Sequence, residues 1–466
     1  MKILLVNPIF YDGQQFSNKY QQYIDWIKGG NLYVAPFEPP LGLASLSSYL
    51  TKEGHHVVLV DMQGLLMDST ELANTIAGSR PDLVGVTAMT TTLPAALRVA
   101  ELARNIAPDA KVVLGGVHPT LDPAGVLANE CVDFVIRGEG EKALADLVAA
   151  LEGSHSFEKI EGLCYRNSAR TRITRRVIIP DQDSLPAPDY EALPTERYIQ
   201  HNELLRDIRG VSMLVSRGCP FQCSFCAVHQ TMGQKWRVKS APLVVDEMLA
   251  LRDRYNLDGV WFKDSILNLN KVWTKAFAEL LIKRKADISW QANTRVDLIH
   301  EEELRLMKEA GLVELDLGIE SGSPESLIKL KKGITVEQIK EKVRLAKKYV
   351  KVFGFFMVGL PGEDEKDVLQ TFELAKELDL DRSTWSIYSP LPGSAFYDDL
   401  VSQGKIETYR LNHEHIHFTE AYEGICNIHP ERLKELYRQI NAYFYAEASA
   451  EVENRMQKTQ SYKMPA

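Results

Sequence analysis

The 466-residue chain has no apolar run of transmembrane length, and the opening stretch Met1 to Pro8 is too short in apolar residues for a signal sequence. It has only six cysteines. Cys131, Cys164 and Cys426 stand isolated, which argues against the disulfide scaffold of a secreted protein and for a reducing cytosol, so a cytoplasmic location is expected. There is no block of basic residues, and the net charge is -9, so nucleic acid is not expected as a partner. No Gly-x-Gly-x-x-Gly follows the first predicted strand, which speaks against a nicotinamide-binding domain. What remains is a chain of ordinary soluble composition, 45% hydrophobic and 25% charged, long enough for two or three domains.

The other three cysteines sit together in Arg217-Gly218-Cys219-Pro220-Phe221-Gln222-Cys223-Ser224-Phe225-Cys226, directly after the apolar run Val211 to Val215. Three thiolates on one tight loop can hold three corners of a cubane iron–sulfur cluster and leave the fourth iron open to a small chelating ligand. Zinc is the competing metal; it would ordinarily want a fourth protein ligand, for which His229 is nearest.

Ahead of this loop, Lys2 to Val6, Val57 to Asp61, Leu83 to Thr87, Lys111 to Leu114 and Asp133 to Ile136 read as short buried strands. Helical patterns lie between them at Leu41 to Lys52, Glu71 to Ile76, Ala95 to Ile106 and Pro123 to Asn129, which predicts an α/β fold with a doubly wound parallel sheet over residues 1–150. Ligands on such sheets sit beyond the carboxyl ends of the strands. Those ends carry Asn7-Pro8, Asp61, Thr87 to Thr90 and Gly115-Gly116-Val117-His118-Pro119-Thr120, and Gly138-Glu139-Gly140-Glu141 turns into a helix near Lys142. Residues 151–205 read as a hairpin, Ile160 to Arg166 and Thr171 to Ile178, and a proline-rich linker, with Cys164 in a structural role.

From 206 to 402 the βα rhythm resumes. Met213 to Arg217, Gly259 to Lys263, Ile288 to Asn293, Val313 to Ile319, Val352 to Val358 and Thr384 to Tyr388 predict a six-stranded partial barrel with the cysteine loop after its first strand, at the mouth. Asp264 follows the second of these strands; Gln291, Asn293 and Arg295 alternate and so can point to one side. Residues 403–466 read as a cap: a lid segment from Gly404 to Cys426 with Tyr409, His413, His415 and His417, a helix from Ile428 to Glu447, and a mobile tail.

The Cys-x-x-x-Cys-x-x-Cys loop, preceded by Arg-Gly and with Phe225 before its last cysteine, resembles the radical S-adenosylmethionine superfamily. That resemblance implies a [4Fe-4S] cluster on Cys219, Cys223 and Cys226, with its unique iron chelated by S-adenosylmethionine and Phe225 packed by the adenine. It implies that Asp264 helps orient the cofactor's amino group, that Glu320 helps fix its ribose or amino acid end, and that Gln291, Asn293 and Arg295 meet polar parts of cofactor or substrate. Trp236-Arg237 would lie near the cluster's rim.

The order Pro39-Pro40-Leu41-Gly42, Gly115 to Thr120 and Gly138 to Glu141 resembles the cobalamin-binding domain fused ahead of many such enzymes. It implies a corrinoid pocket with contacts around Pro40, Asp61, Thr87, Gly116, His118 and Glu139. That family often supplies a histidine to cobalt from Asp-x-His-x-x-Gly; the matching Asp61-Met62-Gln63-Gly64-Leu65-Leu66 has none, and His118 is read as part of a loop over the corrin rather than as a ligand. The resemblance implies a cobalamin-dependent radical methyltransferase acting on an unactivated carbon of a small metabolite or lipid precursor, with electrons from a reducing protein such as flavodoxin or ferredoxin. Radical cyclisation, oxidation or ring rearrangement on the same architecture is the alternative. No catalytic side chain is nominated.

Overall fold

The structure, a computed structural model, describes residues 1–9, 38–154, 156–167, 170–199, 208–406 and 421–459, with side chains of the last helix through 444. Tyr409, His413, His415, His417 and the tail beyond 459 lie outside the described residues.

The first sheet contains β1 (Lys2–Asn7), β2 (His56–Asp61), β3 (Leu83–Thr87), β4 (Lys111–Gly115) and β5 (Phe134–Ile136), all parallel, extended by the antiparallel β6 (Leu163–Arg166) and β7 (Thr171–Arg172). Its order is β2-β1-β3-β4-β5-β6-β7. The run Ile3-Leu4-Leu5-Val6 is apolar at every position because both faces are covered. Leu4 and Val6 pack with Leu72, Ile76, Val99 and Ala103 of one helix pair; Ile3 and Leu5 pack with Leu43, Leu50, Leu144 and Leu147 of the other. The order reverses between β1 and β3, so the crevice beyond Asn7 and Thr87 is where a doubly wound sheet accepts a ligand.

The second hairpin strand is shorter than Thr171 to Ile178. After Arg172 the chain leaves the sheet, and Val177 instead bridges Gly138, taking its place between Arg137 and Glu139. Gly138 permits this: its φ is 95°, and a Cβ there would lie 2.3 Å from the Val177 carbonyl oxygen.

The second sheet begins with β8 (Gly210–Met213). The chain then forms a small antiparallel ribbon, β9 (Ser216–Arg217) with β10 (Arg237–Val238), before β11 (Gly259–Phe262), β12 (Ser289–Thr294), β13 (Leu312–Glu320), β14 (Lys351–Val358) and β15 (Arg382–Ile387). The six barrel strands are parallel in the order β15-β14-β13-β12-β11-β8. Val211, Val260, Trp290, Leu315, Val352 and Trp385 face the surrounding helices and make one core with them. Reciprocal capping boxes at Thr335 and Asp364 fix the starts of the helices Val336–Ala346 and Glu365–Leu378. The final helix, from Pro430, packs Leu433, Leu436 and Ile440 into the same core, and Phe444 stacks on Trp385 at 5.6 Å. No helix among the described residues is long and apolar enough to cross a membrane.

The first barrel strand is three residues earlier than the expected start at Met213. Val215 and Ser216 are buried like strand residues, but their N–H groups donate to the Asp264 carboxylate rather than to a neighbouring strand, so the chain turns out of the barrel here. The continuous apolar run hides that turn.

The loop after β14 is tied by Glu363, which accepts from the Ser326 hydroxyl at 2.6 Å and the Leu360 N–H at 3.0 Å. Burial pushes its carboxyl from 4.5 up to about 7. A carboxyl raised in the folded chain holds its proton more tightly there, so the stability it supplies is fully present below the ordinary value and is lost as pH rises through about 7. Glu363→Gln, whose Oε1 can accept from the Leu360 N–H while its Nε2 donates to the Ser326 hydroxyl oxygen, should flatten that loss, which is on the order of 2–3 kcal/mol. Thermal midpoints measured from about pH 5 to about pH 8 check it; equal declines in wild type and variant would mean that Glu363 ionises as in water.

Candidate cofactor site

The cysteine loop is held at its base by the β9–β10 ribbon. Gly218 has a φ of 87°, and a Cβ there would lie 2.3 Å from the Lys235 carbonyl oxygen, so glycine is required where the loop leaves the ribbon. The Cys219 N–H donates to Gly233 O at 3.1 Å. Further along, the Ser224 N–H donates to Leu330 O at 3.0 Å, its hydroxyl donates to Lys329 O at 2.9 Å, and its carbonyl accepts from Phe396 N–H at 2.9 Å. The loop is thus fixed by segments that follow three different strands.

Cys219, Cys223 and Cys226 are free thiols, Cys223 buried and the other two half-buried. Burial pushes the Cys219 thiol up, and that of Cys226 up to about 11; the neighbouring cysteines add to this, while Arg295 and Lys332 oppose it. Such thiols become thiolates when a bound cation compensates them. Among the described residues, no three His, Cys, Asp or Glu side chains converge on a single-ion site. The donor set, three thiols on one short loop, suits three irons of a cubane cluster, with the fourth iron left to a chelating ligand.

A cationic belt surrounds the loop. Arg295 lies 3.7 Å over the Phe221 ring, points Nη1 at Cys223 Sγ at 3.7 Å, and is held by Asp297 at 2.9 Å and 3.0 Å. Lys332 pairs with Glu320 at 2.8 Å, with side-chain exposures of 5% and 9%, and its ammonium sits 5.8 Å from the Phe225 ring centre. Glu320 takes a φ of 70°, unfavourable for a residue with a Cβ, beside an irregularity in the β13–β14 register. Lys332 was not singled out in the sequence, where nothing local separates it from the exposed Lys331.

The remaining candidates on the barrel are engaged by neighbouring segments. Asp264 is fully buried; it accepts from Val215 N–H at 3.1 Å, from the Ser216 hydroxyl at 2.5 Å and from Ser216 N–H, and burial raises it to about 6. Its carboxylate is thus engaged by the segment that leads into the cysteine loop. Asn293 donates to Asp264 O at 2.9 Å, and Gln291 donates to Asp316 deeper in the barrel.

At the rim of the first sheet, Thr87, Gly115 and Gly116 stay half-exposed beside Met89, which is 57% exposed. A Cβ on Gly116, whose φ is 102°, would lie 2.9 Å from both Ala88 O and Thr87 Oγ1. This ledge of backbone and small side chains suits a broad, flat ligand. Pro40 begins the helix Leu41–Lys52 at the same end of the sheet. Asp61 accepts from Asn7 Nδ2 at 2.8 Å, Tyr198 OH at 2.7 Å and Gln63 N–H at 3.2 Å, so its carboxylate is committed to packing. His118 is buried, with Nδ1 3.2 Å from Thr90 Oγ1.

Glu139 also points away from the ledge. It binds Arg237 at 2.7 Å and 2.9 Å, accepts from Ile179 N–H at 2.7 Å and lies 3.5 Å from Arg217. Glu141 binds Arg217 at 2.5 Å and 3.2 Å and accepts from the Ser45 hydroxyl at 2.8 Å. Burial opposes the charge on Glu141, but the Arg217 guanidinium outweighs it and holds the carboxyl below its ordinary value. These pairs join the rim of the first sheet to the base of the cysteine loop.

Residues 27–148 match the B12 binding domain family, and residues 213–375 match the Radical SAM superfamily. Over 412 residues the chain is 34% identical to the uncharacterized methyltransferase PH0819 of Pyrococcus horikoshii, covering 87% of this chain and 88% of that protein. The chain is a cobalamin-binding-domain radical S-adenosylmethionine enzyme. The enzyme is also 30% identical over 418 residues to the anaerobic magnesium-protoporphyrin IX monomethyl ester cyclase of Rubrivivax gelatinosus, covering 88% of this chain and 71% of that one. Its fold is that of the radical S-adenosylmethionine methyltransferase TsrM from Kitasatospora setae, solved with cobalamin and a [4Fe-4S] cluster: TM-score 0.71, 22% identity, 86% of this chain and 78% of that chain covered.

Replacing Cys219, Cys223 and Cys226 together by Ala should abolish iron and sulfide loading and reductive cleavage of S-adenosylmethionine, while circular dichroism shows the sheets intact. A full cluster in that variant would refute the assignment. Lys332→Ala should cost roughly 3–5 kcal/mol, because it leaves Glu320 charged and buried alone. Lys332→Met combined with Glu320→Gln should recover most of that loss in a denaturant titration.

Proposed function

We propose that the enzyme is a cobalamin-dependent methyltransferase acting on an unactivated carbon of a small metabolite or lipid precursor. The observation that carries this reading is the junction just described: the ledge suited to a corrinoid and the loop suited to the cluster are joined through Glu139, Glu141, Arg217 and Arg237. Two cofactors seated on these surfaces would adjoin one space, between the first sheet's rim and the barrel mouth. The near full-length likeness to a protein named as a methyltransferase supports the same reading.

Cys219, Cys223 and Cys226 would hold the cluster, with Phe225 beside the adenine and Arg295 and Glu320, through Lys332, shaping the surrounding charge. Asp264, Asn293 and Gln291 act as supports for that surface, and Asp264 fixes the approach to the loop. Pro40, Thr87, Gly116 and the His118 loop would frame the corrinoid, with Asp61 and Glu139 holding the turns beside them through their own buried partners. When bound, the cluster and S-adenosylmethionine supply a carbon radical able to abstract hydrogen, and the corrinoid supplies a transferable methyl group. The chain's own work is to orient these groups and keep water from them. Electrons would come from a cytosolic reducing protein such as flavodoxin or ferredoxin.

The likeness to the cyclase favours a second reading, radical cyclisation or oxidation on the same architecture. Enzyme reconstituted anaerobically with iron, sulfide and cobalamin, then given S-adenosylmethionine, a reductant and metabolite extract, separates the two by mass spectrometry. A product heavier by one methyl in place of one hydrogen is expected. Loss of hydrogen or an isomeric product with no methyl gain would replace methyl transfer by the second reading.

A further inference from the structure

Glu139 and Glu141 lie in one turn at the carboxyl rim of the first sheet, immediately after β5, at the start of the helix Gly140–Leu151. Arg217 lies in the ribbon two residues before Cys219, and Arg237 lies in the partner strand of the same ribbon. The four side chains are 3% to 15% exposed, so neither solvent nor salt screens the contact appreciably. Both pairs are bidentate, the geometry in which a guanidinium fixes direction as well as distance. Three of the four are tied on their far side too. Glu139 accepts from Ile179 N–H, Glu141 from the Ser45 hydroxyl, and Arg237 donates to Met232 O, inside the segment that follows the cysteines. A shift of the ribbon therefore strains the bonds to the turn at residues 138–141, and the reverse holds.

We infer that Glu139 and Glu141 are positioning residues that couple the two cofactor surfaces, so that a corrinoid on the rim and S-adenosylmethionine on the cysteine loop bind cooperatively. The inference rests on the two-cofactor reading above. A ligand that orders the rim holds the ribbon through these pairs, and the second ligand then finds its surface already ordered. Linkage makes the effect reciprocal.

The test uses the full chain with its cluster reconstituted. The affinity for S-adenosylmethionine is read from the change it causes in the electron paramagnetic resonance line shape of the reduced cluster, with and without saturating hydroxocobalamin. Wild type should bind S-adenosylmethionine about 5-fold or more tightly when the corrinoid is present. Glu141→Gln, which leaves the Glu139–Arg237 pair in place, should still bind each ligand but lower that ratio by about half or more towards one. Stability to denaturant, measured beside the ratio, separates the two roles: a purely structural role would lower stability and leave the ratio unchanged. If Glu141→Gln fails to fold, Glu141→Asp with its shorter reach should give a ratio between those of wild type and no coupling.

A wild-type ratio of about one, or a Glu141→Gln ratio equal to that of wild type, overturns the coupling. No change in the hydroxocobalamin absorbance spectrum on adding wild-type protein overturns the corrinoid reading, and the coupling with it. Corrinoid binding without a ratio overturns the coupling alone.

Discussion

The buried contact between Glu139, Glu141, Arg217 and Arg237 is the joint on which the arrangement of this protein depends. Burying four charges is costly, and attraction repays that cost only with good geometry and with the remaining lone pairs and protons satisfied. Here both arginines are forked onto carboxylates and the carboxylates take further donors from Ile179 and Ser45. Apolar packing would have joined the two sheets as firmly, but it would not have fixed the direction of the ribbon that carries the cysteines. The pairs therefore count less as a source of stability than as a way of specifying one relative placement of rim and loop.

Most polar groups near the loop serve the same end. Asp264 spends its carboxylate on Val215 and Ser216; Arg295 is bound by Asp297 and the Lys332 carbonyl; Lys332 is neutralised by Glu320. None is left as an evident general acid or base aimed into open space. That fits an enzyme in which the difficult chemistry belongs to the cofactors and the protein contributes orientation and electrostatics. The strained backbone at Glu320 belongs to this picture: a φ of 70° is tolerated because the Lys332 pair holds the side chain under the loop.

Much of the fold was legible because it is written in local pattern. A parallel strand buried on both faces must be apolar throughout, and Ile3 to Val6 or Val112 to Leu114 can be little else. The cysteine spacing pointed equally plainly to the radical S-adenosylmethionine family. What was not legible depends on partners far away in the chain. Glu139 lies at a sheet rim, where ligands bind, yet its oxygens face an arginine 98 positions later. Lys332 and Lys331 are adjacent and chemically identical, and only the fold buries one and exposes the other. The first barrel strand was placed too late because Asp264 replaces a barrel strand as the acceptor for the Val215 and Ser216 N–H groups, and an apolar run carries no trace of who accepts its hydrogen bonds.

The segment Asp61 to Leu66, where relatives of this architecture often carry a histidine, is built for a different task. Asp61 is gripped by Tyr198 from the linker between the two sheets, and burial raises its carboxyl above the ordinary value even though these donors oppose the rise. The short helix Met62–Leu65 starts from that carboxylate, and a Cβ on Gly64 would lie 2.5 Å from Asp61 Oδ2 and 2.9 Å from the Tyr198 ring. There is no room for this turn to open toward the rim without breaking the contact that anchors the linker. The absence of a histidine at residue 63 thus goes with a segment whose polar group is turned inward, and His118, the other candidate, is turned inward as well, toward Thr90. Neither segment turns an imidazole toward the ledge, whose surface is backbone and small side chains held in place by these inward contacts.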